Sequence, residues 1–300
     1  MPGELLAVAA MLMFAANILA TRAASSRLDV SRGFVISVTV NVLFSALAFI
    51  VEQRLRREPL VWDPAGIALF MMAGAFATYL GRWFLFGAIA RLGAARASLF
   101  HVASPAFTAV IAWLFLNEAL GGPTVIAMAA TLIGLLLVSA PAELLRRSPG
   151  SAAARSTLLS PGFFVGIGAT LAYAVGNVLR GASVRQWDEP IAGALLGAIA
   201  ALALHFLIGK GHGLRGLATA DRAGVALYAL GGMLTIAAQM CMIASMRTIP
   251  VAIAAVITLC TPLVVIPASY WLFDRHERLN ATTLLGAAIT IGGVGAIVLR

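Results

Sequence analysis

At 300 residues, 61% of them hydrophobic and only 11% charged, the chain departs from soluble domains, which carry about 25% charged residues. Its mean hydropathy of +0.97 points the same way, to an integral membrane protein. The net charge of +9 comes from basic residues scattered through short loops. A nucleic-acid site would gather them on one face, whereas loops that meet anionic lipid headgroups disperse them. Nucleic acid is therefore not an expected partner; membrane lipid is.

An apolar helix needs about 20 residues to cross roughly 30 Å of hydrocarbon. The first candidate span is Leu5–Thr21; Met1-Pro2-Gly3-Glu4 before it lacks a basic n-region, so the segment reads as an uncleaved span, not a secretory leader. Gly33–Val51, Pro64–Ala90, Ala94–Leu116 and Pro123–Ala140 follow. A second set comprises Pro161–Gly181, Pro190–Ile208, Arg222–Met246, Pro250–Phe273 and Ala281–Leu299. The runs are continuously apolar, without the in/out alternation of barrel strands, so the expected class is all-α with ten transmembrane helices.

Between the sets, residues 141–160 form the most polar linker, with Arg146, Arg147 and Arg155. It separates residues 1–140 from 161–300, and the two segments match. Ala94-Ala95-Arg96-Ala97 through Ser104-Pro105 aligns with Val251-Ala252-Ile253-Ala254 through Thr261-Pro262 at an offset of 157. Trp113-Leu114-Phe115 recurs as Trp271-Leu272-Phe273, Glu118 and Glu277 follow, and Asn17 and Asn177 occupy the first helix of each half. Five spans per half is an odd number, so the second half must enter from the opposite side. Two inverted five-helix repeats are the usual frame of a secondary transporter with a central site. Assigning every Lys and Arg except Arg82 to a side places seven with the termini and 13 with the linker, which favours a cytoplasmic linker.

These features together resemble the drug/metabolite transporter superfamily, and specifically its EamA-type ten-helix exporters. The fourth and ninth spans carry the likeness, through Ser104-Pro105 and Thr261-Pro262, the Trp-Leu-Phe repeats and the glutamates that follow. The chain departs from the pattern where Asp274-Arg275-His276 intervene before Glu277. Among these families it looks most like bacterial amino-acid exporters of the YddG type. The resemblance implies a multi-pass protein of the bacterial inner membrane that exports aromatic and other neutral amino acids.

The residues themselves narrow the chemistry. All 12 Asp and Glu fall outside the expected spans or at their ends, so a carboxylate-based exporter of cations is disfavoured. Arg82 reads as the one strong base well inside a span, roughly 12 Å from its end at about 1.5 Å per residue. It either snorkels to the interface or awaits a substrate carboxylate, which guanidinium binds bidentately. Tyr79 and Phe86, three before and four after, share its helix face, with Phe76 a further turn away and Trp83 beside them. They would form an aromatic and cationic stripe for substrate or a packing face. Gln239 is the counterpart of Arg82 at the 157 offset. His101, Asn17, Asn177 and Tyr173 complete the intramembrane polar set, as ligands or interhelical bonds.

Proline cannot donate to the carbonyl four residues back, so kinks are expected at Pro105 and Pro262, freeing the carbonyls of His101 and Thr258 as hinges or packing features. Gly162-x-x-x-Gly166 and Gly193-x-x-x-Gly197 are assigned to helix packing. Cys241 and Cys260 sit in apolar runs, and no metal, nucleotide or protease motif is present, so no cofactor and no catalysis are expected. The sequence reading is a carrier of small metabolites, amino acids first. A multidrug or lipophilic-cation exporter and a non-transporting scaffold are the rivals.

Overall fold

The computed structural model describes residues 3–56, 59–92, 94–139, 161–208, 220–272 and 281–298. The linker 141–160, Phe273, Glu277 and the Asp274-Arg275-His276 insertion lie outside them.

Every regular element among the described residues is helical. Helices α1 (Gly3–Ser25) and α2 (Val30–Leu55) form the first two spans. The third span runs through α3 (Pro64–Ala73), a π-helical turn (Gly74–Leu80) and α4 (Gly81–Leu92). Helices α5 (Ala94–Leu116) and α6 (Gly122–Ser139) close the first half. The second half holds α7 (Pro161–Gln186), α8 (Pro190–Ile208), α9 (Arg222–Ser245), a ninth span broken into α10 (Val251–Leu259) and α11 (Pro262–Leu272), and α12 (Ala281–Val298). Eight spans hold 18 or more residues of membrane-crossing hydropathy; α6 and α12 supply two shorter apolar helices, which together give the expected ten.

Starts are chemically marked. Asp29, Asp63 and Asp221 each accept a backbone N–H at the head of α2, α3 and α9, with Pro64 at the first position of α3. Leu43, Leu47, Trp113, Ile126 and Leu284 lie on the outer surface, as a lipid-facing belt requires, while alanines fill much of the interior. Small residues replace the hydrophobic effect as the basis of packing in lipid, by letting helices approach closely. Gly74 faces the backbone of Gly197, Gly193 faces the Phe70 ring, and Gly166 faces the Phe100 ring, so both glycine pairs read from the sequence serve packing.

The halves interlock. Helix α1 packs along α9, and its counterpart α7 packs along α3 and α4; α2 meets α9 as α8 meets the third span; α6 lies on its own counterpart α12. The inversion is visible at the loops. The loop 26–29 between the first two spans lies beside Asp221, through Arg27–Asp221 and Tyr228 Oη donating to the Leu28 carbonyl. The equivalent loop of the second half, residues 187–189, lies at the opposite end, where the Trp187 indole N–H donates to the Val61 carbonyl at 2.8 Å. Gly3, residues 59–63, 117–121, 187–189 and 246–250 thus define a terminal face. Residues 26–29, Leu92, Pro161 and 220–221 define a linker face.

Candidate functional site

A cavity of about 210 Å³ lies between the halves. Spans one, three and four line it with Asn17, Ala77, Thr78, Arg82, His101 and Ser104. Their counterparts six, eight and nine contribute Tyr173, Asn177, Arg180, Gln239 and Thr258. No Asp or Glu is among the lining residues.

Arg180 is the centre of this polar set. The residue is 8% exposed. One nitrogen donates to Asn177 Oδ1 at 3.3 Å; the other donates to Thr78 Oγ1 at 3.2 Å and to Gln239 Oε1 at 3.0 Å. All three acceptors are neutral, and among the described residues no carboxylate pairs with the guanidinium. Buried charges are normally paired, because desolvation of an isolated ion is costly. Sequence reasoning missed Arg180 by ending the sixth span at Gly181. The helix in fact runs to Gln186, since Ser183 is buried and bonds the Gly66 carbonyl, and Gly181 packs against Val251. The available signal was Asn177 three residues earlier, which puts both on one helix face.

The π-helical turn explains which side of the third span faces the cavity. Gly81 N–H donates to the Phe76 carbonyl, five residues back. The wider turn departs from the α-helical spacing assumed from the sequence. It presents Ala77 and Thr78 to the cavity, and Ala77 backs onto Gly176. Tyr79, Trp83 and Phe86 do not line the central cavity, although Arg82 between them does. They border a separate lateral crevice, where Trp83 is 58% and Phe86 48% exposed. The aromatic stripe of the central site is corrected accordingly.

Arg82 lines both the central cavity and the crevice. Its guanidinium lies 5.8 Å from the Phe34 ring centroid, one turn into α2. The strong base buried among polar partners is Arg180. The other expected residues come together: Asn17 accepts from Thr21 Oγ1 at 3.2 Å, and the His101 ring packs on Tyr173 with centroids 4.5 Å apart. His101 Nδ1 is buried without a hydrogen-bond partner. The expected kinks divide. Helix α5 runs through Pro105 without interruption, whereas the ninth span breaks at Cys260–Thr261 just before Pro262. Thr258, Leu259 and Thr261 around this break line the cavity.

Toward the linker face the cavity adjoins a vestibule of about 200 Å³ that shares Asn17, Arg82 and Tyr173 and extends to Gly33 and Tyr228. Toward the terminal face, Met242, Met246, Val251 and Trp187 form a buried core. Outside it the loops are tied by charge. Arg56 grips Glu189 with two bonds of 2.6 and 2.5 Å, which raises the affinity of the guanidinium for its proton. Arg247 pairs with Asp188, and Arg185 pairs with Glu118. Glu118 also accepts the Val251 N–H at 3.0 Å, so one carboxylate caps the start of α10 and ties α7 to it. Asp63 is held below the usual carboxylate range, chiefly by a hydrogen bond from Gln186.

A family model of EamA-like transporters matches residues 1–140 and again 160–299. One solved crystal structure superposes with a TM-score of 0.75 at 16% identity, over 99% of this chain and 96% of its own, which shows a common fold. No curated protein matches. With both halves matched almost end to end, the chain belongs to the EamA-like transporter family, whose members are multi-pass membrane transporters of small molecules.

Proposed function

We propose that this chain exports small carboxylate-bearing metabolites across a bacterial inner membrane by alternating access, with neutral and aromatic amino acids the leading class. The observation that carries the reading is Arg180: a buried cation whose protein partners, Thr78, Asn177 and Gln239, are all neutral. A substrate carboxylate supplies the missing charge. The break in the ninth span supports a zwitterion in particular. The C-terminal end of α10, at Thr258 and Leu259, brings partial negative charge to the cavity wall and suits an ammonium group. A volume of about 210 Å³ suits metabolites smaller than drug-sized ligands, whose pockets span about 300–1,000 Å³.

The arginines Arg82 and Arg180 repel a lipophilic cation, and no carboxylate of the described residues lines the cavity to receive one. The cation exporter is therefore the weaker reading, and a cavity shared by both halves argues against a scaffold. No carboxylate of the described residues lines the site, and facilitated diffusion and proton antiport through His101 are the two mechanisms the test separates.

The test is counterflow of a labelled neutral amino acid into proteoliposomes, with competitors. Free α-amino acids compete, while their amides and cationic dyes compete at least about 10-fold less, since hydrogen bonds to a charged group contribute about 1.5–3 kcal/mol. Arg180→Gln raises the half-saturating concentration on the order of 10- to 100-fold for the same reason. Dyes that compete as well as amino acids, or an Arg180→Gln carrier with unaltered saturation, would sink the proposal. An uptake rate that rises with an imposed pH gradient, and loses that rise in His101→Gln, would establish proton antiport in place of facilitated diffusion.

A further inference from the structure

We infer that the lateral crevice between α2, α4 and α8 is a binding site for the phosphate headgroup of an anionic glycerolipid. The crevice encloses about 300 Å³; it shares only Arg82 with the central cavity, and Val30, Phe34, Arg82 and Phe86 with the vestibule. Its walls are Val30 and Phe34 of α2, Trp83 and Phe86 of α4, and Ile208 of α8. Trp83, Phe86 and Ile208 are about half exposed on the outer surface of the bundle, so they face acyl chains.

Three observations fix the occupant. The first is depth. Arg82 lies over Phe34, four residues into α2, so its guanidinium sits about 6 Å from that helix end at about 1.5 Å per residue. That is headgroup depth, and a neighbouring tryptophan is at home in the same interface. The second is charge. Arg82 makes no ion pair among the described residues, and a guanidinium takes phosphate oxygens through paired N–H donors. The third is the face. The crevice opens at the linker face, where Arg27, Arg32 and Arg91 also stand, and basic residues there favour anionic lipid. The vestibule also reaches Arg82, so a soluble anion is the competing occupant, and the test below separates it from a lipid.

A bound headgroup holds Arg82 over Phe34 and leaves Arg180 to meet the transported solute. The inference does not depend on the identity of that solute, and its test contains none. The full chain is purified, stripped of lipid and titrated with phosphatidylglycerol or phosphatidylcholine of identical acyl chains, with retention read by native mass spectrometry. One phosphatidylglycerol per chain is retained about 10-fold better than phosphatidylcholine. Arg82→Gln brings the two within about 2-fold and Arg82→Lys retains part of the preference, because a point charge remains while the paired donors are lost. Trp83→Ala weakens retention of both lipids alike. Equal retention by the wild type overturns the inference, as does a preference that survives in Arg82→Gln chains with wild-type melting in phosphatidylcholine. Displacement of the lipid by millimolar inorganic phosphate would assign Arg82 to a free anion and overturn it too.

Discussion

At the scale of single residues, the account turns on what surrounds two arginines at different depths. Arg180 has three neutral acceptors and is buried; Arg82 has an aromatic face and borders both the cavity and the crevice. The sequence shows both residues but not which is deeper, because helix ends decide depth and ends are the least legible feature of an apolar run. Asn17, Asn177, His101, Tyr173 and Gln239 were legible, since a polar side chain inside such a run must turn to a neighbour or a cavity. Thr78 was not, for a threonine satisfies itself within any helix. Gln239 offers the sharpest single-residue check. Its Oε1 holds the Arg180 guanidinium at 3.0 Å, so Gln239→Ala loosens the cation without removing it. A loss of about 0.5–1.5 kcal/mol corresponds to a roughly 2- to 10-fold rise in half-saturating substrate, smaller than for Arg180→Gln. Transport kinetics of the two variants side by side decide the ranking.

At the scale of elements, local irregularities build the site. A π-turn at Gly74–Leu80 delivers Thr78 to Arg180, and a break before Pro262 opens a helix end to the cavity. The π-turn leaves no trace in composition, which is why an α-helical wheel sent Tyr79 to the wrong wall. The two prolines looked alike in the sequence, yet only one marks a break. Asn117 adopts the left-handed conformation at φ 53° and ends α5, turning Glu118 back to cap α10. The repeated Trp113-Leu114-Phe115 motif before it is exposed, so it belongs to the outer belt rather than to the site. The close approach of the π-helical turn and α8 yields an asymmetric prediction. A Cβ at Gly74 would collide with the Gly197 backbone, whereas one at Gly197 would rest 3.4 Å from Gly74 Cα, an ordinary contact. Gly74→Ala therefore destabilises by about 1–3 kcal/mol, the usual effect of overpacking, and Gly197→Ala leaves thermal unfolding near wild type. Melting curves of the purified variants in one detergent show the difference.

At the scale of the whole molecule, the fold was almost fully legible. Ten apolar runs, an odd number in each half and matched motifs imply inversion, and the equivalent loops at opposite faces bear it out. Moving Arg180 from the terminal face into the membrane only enlarges the excess of basic residues on the linker side. What the sequence could not convey is the state of the carrier. Arg56–Glu189, Arg185–Glu118 and Arg247–Asp188 close the terminal face over a packed core, and the vestibule leads to the linker face. Partners so far apart in sequence become visible only once the halves are interlocked. The central claim is that both halves line one water-accessible passage that the substrate occupies. The most direct measurement places a single cysteine at Asn17 or at Asn177, with Cys241 and Cys260 replaced by alanine, and follows modification by a membrane-impermeant thiol reagent from the linker face. Both positions react, and a transported amino acid slows both. If both positions stay unreactive from either face of the membrane, or substrate protects one half and not the other, the shared passage is contradicted.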